Sequence, residues 1–62
     1  MDNIRRNLLD MRKRHDADSA IGHRCTNLTQ TFKAYGEATD EKRQAELEKR
    51  IRQQFAELAS LV

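Results

Sequence analysis

The chain has no proline, two glycines, one cysteine and three aromatic residues, Phe32, Tyr35 and Phe55. Each scarcity removes a class of protein. One cysteine cannot form an internal disulfide, and one Cys with two His cannot complete a four-ligand structural zinc site without carboxylates. A sheet protein draws on β-branched, aromatic and turn-forming residues, so this composition reads as helical instead. Large apolar residues never run longer than two in a row (Leu8-Leu9 and Leu61-Val62). No segment is therefore expected to span a membrane, and the first residues lack the apolar stretch of a signal peptide. A lone cysteine suits a reducing compartment, and a cytoplasmic location is expected.

What is present is charge: 35% of the 62 residues are charged and 37% are apolar. A folded chain of 7.3 kDa exposes about 4,200 Å² and buries roughly 60% of the surface of its unfolded form. That burial yields about 95 kcal/mol, and ordering the chain costs about the same. The balance leaves one small domain in need of support. With a disulfide excluded, a second chain is the expected support, and a homodimer is the simplest form of it.

The net charge is +2, and its distribution is uneven. Residues 1–24 hold six bases and four aspartates, whereas residues 25–62 hold six bases and six acids. Five of the early bases, Arg5, Arg6, Arg12, Lys13 and Arg14, fall on one helical segment, off its apolar face. A thin basic bias favours an anionic partner over mimicry of nucleic acid, which needs an acidic surface.

Three apolar seams run through the chain. Met1, Ile4, Leu8, Met11 and His15 step by three and four, the a/d spacing of a helix packed along one face. Ile21, Cys25, Leu28, Phe32 and Tyr35 repeat that spacing, but the frame has moved by three residues. A turn around 16–19 accounts for the shift, with Asp18 or Ser19 as N-cap; a single bent helix is the alternative. Gly36 is placed to end this second helix in a left-handed conformation, and Thr39 to cap the next. The third seam holds Leu47, Ile51, Gln54, Leu58 and Leu61, widened by Phe55 and Val62. Glu46–Arg50 and Glu48–Arg52 have the i,i+4 spacing of ion pairs on its outer face. Gly22, Thr29 and Gly36 lie seven apart, which reads either as local backbone tolerance or as a close-packed edge.

Little here carries chemistry. Cys25 lies within an apolar seam and reads as a small core residue, because its neighbours His23 and Arg24 point elsewhere on a helix. His15 and His23 have no metal-binding spacing, and Asp16 and Asp18 read as turn and cap residues. There is no phosphate loop and no nucleophile motif. No enzyme activity, cofactor or metal is expected.

The expected fold is all-α, a small three-helix protein with helices at about 2–15, 19–35 and 40–61. Helices 2 and 3 should form an antiparallel hairpin, completed as a dimeric helical bundle. Leu47, Ile51, Phe55, Leu58 and Val62 are the expected protein interface, because that stripe is wide enough to touch two neighbours. The expected function is non-catalytic: a small interaction or regulatory protein that docks a helical surface onto a protein partner. Nucleic-acid binding by Arg5, Arg6, Arg12, Lys13 and Arg14 is the alternative.

Overall fold

The structure, a computed structural model, describes residues 2–61. Three helices form: α1 (Asp2–Arg14), α2 (Ala20–Glu37) and α3 (Glu41–Ala59), with no strand among the described residues. The fold is all-α, and α2 and α3 make the close hairpin that the short connection implies.

The three-residue shift between the first two seams is a break in the helix. Arg14 ends α1, and residues 15–19 reverse the chain. Ser19 caps α2 from an extended backbone (φ −75°, ψ 164°), its Oγ accepting from the Gly22 N–H at 3.0 Å. The Ser19 N–H and hydroxyl both donate to the Asp16 carbonyl, at 3.0 and 2.6 Å. Two donors on one oxygen hold the turn under the start of α2. A Cβ on Gly22 would land on that Asp16 oxygen and 2.8 Å from the carbonyl oxygen of Ala17. Gly22 thus serves close approach, of the preceding turn and not of another helix.

Gly36 does not terminate α2, and no glycine among the described residues has a positive φ. The chain leaves the helix through Ala38 (φ −72°, ψ 130°), an extended conformation open to any residue. The Ala38 N–H closes the last turn onto the carbonyls of Ala34 and Tyr35, at 3.0 and 3.3 Å. Asp40, not Thr39, caps α3, accepting from the Lys42 N–H at 3.4 Å, and Gln44 Nε2 donates to the Ala38 carbonyl at 2.7 Å across the connection. Because a Cβ on Gly36 would meet nothing within 4 Å, Gly36→Ala is expected to stabilise the chain. The gain should be about 0.5–1 kcal/mol, read as a rise of several degrees in a thermal melt followed by circular dichroism.

Short connections make neighbouring helices antiparallel, and α2 lies in the middle. Arg24, early in α2, meets Glu57, late in α3, at 3.2 Å. Arg5, early in α1, sits over the ring of Phe32, late in α2, 5.9 Å from its centroid. The core between them is Leu8, Cys25, Leu28, Ile51 and Leu58, with Ile4, Met11, Ile21, Phe32, Tyr35 and Phe55 packed around it. Three threonines of α2 return their hydroxyls to the helix: Thr26 to Gly22, Thr29 to Cys25 and Thr31 to Asn27, at 3.1, 2.8 and 3.1 Å. Self-satisfied in this way, Thr31 is buried without another partner.

The expected partner interface is mostly interior. Ile51 and Leu58 are 0% exposed, Leu47 is 6% exposed, and Phe55 is half-buried against the core. Cys25 and Leu28 of α2 and Leu8 of α1 supply the cover that a second chain was expected to supply. Val62, the last member of that set, lies outside the described residues, as does Met1 of the first seam. Gln54 interrupts the α3 seam, and its Oε1 is buried without a hydrogen-bond partner. Leucine fills similar volume and leaves no acceptor stranded. Gln54→Leu is accordingly expected to stabilise the chain by about 1 kcal/mol, visible as a higher urea midpoint with unchanged slope.

The molecule measures 34 × 19 × 18 Å and exposes 4761 Å², more than the about 4,200 Å² expected for its mass. Three short helices enclose a small core and leave a large surface.

Candidate docking groove

The expected basic set is divided by the fold. α1 presents Arg5, Leu9 and Arg12 along one edge, spaced four and three apart, so that they rise as a ridge. Opposite them α2 presents Thr29, Phe32 and Lys33. Leu8 lies on the floor, and the groove between the helices has a volume of about 370 Å³. Leu9 is 51% exposed there, one of two large apolar side chains left open among the described residues; Leu61 is the other.

Cations rim this apolar floor. Among the described residues the ion pairs are Arg14–Asp10, Arg24–Glu57 and Arg52–Glu48, at 3.2, 3.2 and 3.1 Å. None of them engages Arg5, Arg12 or Lys33. Asp2 lines a smaller recess beside the groove, with Arg5, Phe32 and Tyr35. Cys25 is buried beneath α1, and burial pushes its thiol up from the ordinary range while the Arg12 guanidinium pulls part of the way back. A raised, covered thiol is protonated and inert at neutral pH.

Arg5 and Arg12 are therefore brought together with Lys33, a residue the sequence alone did not single out. Its signal lay in the antiparallel register of α1 and α2, which sets residue 33 opposite residues 4 and 5. Arg6 and Lys13 are exposed outside the groove, and Arg14 is engaged with Asp10. Arg24 does not extend the basic patch, because it faces α3 and Glu57.

No protein-family model, curated protein or solved structure matches the chain. The functional reading accordingly stands on the residues themselves. A second groove, of about 320 Å³, separates α2 from α3 and is lined by polar groups, including Asn27, Gln30, Arg43, Arg50 and Gln54. Among the described residues no group of three or more His, Cys, Asp or Glu side chains is placed to hold a metal ion. No helix is long and apolar enough to cross a membrane.

Proposed function

We propose that this protein is a non-catalytic interaction module that docks a protein partner in the groove between α1 and α2. One observation carries the reading: Leu9 stands open between Arg5 and Arg12, above a floor of Leu8 and Phe32. An apolar anchor flanked by charge is the usual anatomy of a small protein-binding surface. Such a module acts by occupying its partner, which suits a regulator or adaptor in the cytoplasm.

Photo-crosslinking from residue 9 tests this in cells. Protein adducts are expected with photo-leucine at position 9 and not at exposed position 45 on α3. The purified partner should bind the Leu9→Glu protein at least about tenfold more weakly, while the melting temperature is unchanged. Adducts to nucleic acid alone overturn the reading.

Nucleic-acid binding is the second reading, supported by Arg6 and Lys13 exposed beside Arg5 and Arg12. It has less behind it. The aromatic rings beside these bases, Phe32 and Tyr35, are half-buried against the core, so neither stands out as a stacking platform. Loss of duplex binding at about 50 mM salt on replacing Arg5, Arg6 and Arg12 with Ala would favour it.

A further inference from the structure

We infer that the occupant of the α1–α2 groove is an acidic amphipathic helix of a different protein; the inference rests on the docking reading above. The argument begins with shape. Two antiparallel helices leave a straight trough between them, and an amphipathic helix laid along it is a common solution for an apolar groove of this kind. Arg5 and Arg12 are seven residues apart, about 10.5 Å along α1, with Leu9 between them. A partner helix carrying carboxylates two turns apart, with a leucine-sized side chain between, matches both the charges and the spacing.

A second copy of this chain does not match. A two-fold contact through the groove would set Arg5, Arg12 and Lys33 of one protomer against the same cations of the other. Like charges facing across a contact are strongly unfavourable. A head-to-tail contact needs an exposed large apolar residue flanked by acids elsewhere on the surface. Among the described residues the remaining candidate is Leu61, and the acid one turn before it, Glu57, is engaged with Arg24. Nucleic acid fits less well, because a phosphate chain running from Arg5 to Arg12 passes over Leu9 and gains nothing from it. A flat membrane surface cannot enter a concave groove to reach Leu8 and Phe32.

The test uses the whole chain and a synthetic helical peptide of about 15 residues in an alanine-rich host. The peptide carries two glutamates seven apart with a leucine between them. Binding is followed by the amide chemical shifts of Leu8, Leu9, Phe32 and Lys33. At about 50 mM salt the acidic peptide should bind at least about fivefold more tightly than its glutamine version, and the preference should vanish near 1 M salt. Leu9→Glu should weaken binding by at least about tenfold. An Arg12→Glu protein should prefer a peptide with one glutamate exchanged for lysine, a rescue that a merely unfolded variant could not show.

Equal binding of the acidic and glutamine peptides overturns the acidic class while leaving a docking groove in place. Shifts at these four residues with a DNA duplex or phosphatidylglycerol vesicles, and none with either peptide, overturn both the inference and the docking reading. Shifts with none of the probes at about 1 mM also overturn the inference.

Discussion

Gly22→Ala is expected to destabilise the fold strongly. The added methyl has no free volume, because its neighbours are the carbonyl oxygen of Asp16 and the backbone of Ala17. Backbone cannot step aside as a flexible side-chain end can. Relief requires moving the 15–19 turn, which breaks the bonds from Ser19 to Asp16 and loosens the cap on α2. Overpacking costs about 1–3 kcal/mol and a lost cap about 1 kcal/mol more. A chain of 62 residues has roughly 3–9 kcal/mol of stability in total. The loss would take a large share of that margin, and circular dichroism should show a steeply lowered melting temperature. The helix-propensity gain that favours Gly36→Ala is present here too, at under about 1 kcal/mol, and it is outweighed. Two glycines in one helix thus respond to the same change with opposite signs.

Ile51→Ala is the second large effect, with an expected loss of about 2–5 kcal/mol. Ile51 is fully buried in the cluster with Leu8, Cys25, Leu28 and Leu58, so truncation removes contacts and leaves a void under both α1 and α2. The measurement should include protein concentration as a variable. If the cavity lies inside one chain, the drop in melting temperature is the same at 5 and 500 times any starting dilution. Were Ile51 shared between two chains, the variant would regain stability as concentration rises. A strongly concentration-dependent loss would contradict the interior placement.

Helices were legible because apolar residues recur every three or four positions in each of the three seams. The start of α2 was legible as Asp18 or Ser19 before the apolar Ile21, and the choice of Ser19 appears only in the bond its Oγ accepts from the Gly22 N–H. Periodicity names which residues are apolar without naming what covers them. For that reason Ile51 and Leu58 could be read as an interface when α2 covers them from inside the same chain. The need for glycine at position 22 arises from a turn six residues earlier, and Gly36 resembles a stop signal only until Ala38 is seen to leave the helix without it. Of the two expected ion pairs on α3, Glu48–Arg52 forms, while among the described residues none joins Glu46 to Arg50. Arg50 instead lines the groove facing α2. The candidate site was half legible. Arg5 and Arg12 stood out as a basic pair, but Lys33 and Phe32 join them only through the register of two packed helices.

Leu8 is the one residue of α1 that is fully enclosed, whereas α2 and α3 each contribute several. Local unfolding is cheapest where the least apolar area must be uncovered. The first segment to detach on warming should therefore be α1, while the hairpin behind it persists. Detachment removes one wall of the trough and uncovers Cys25, so a thiol reagent would time the event. Anything that bridges both walls would close that escape route and slow the chemistry at the thiol in proportion to how tightly it holds.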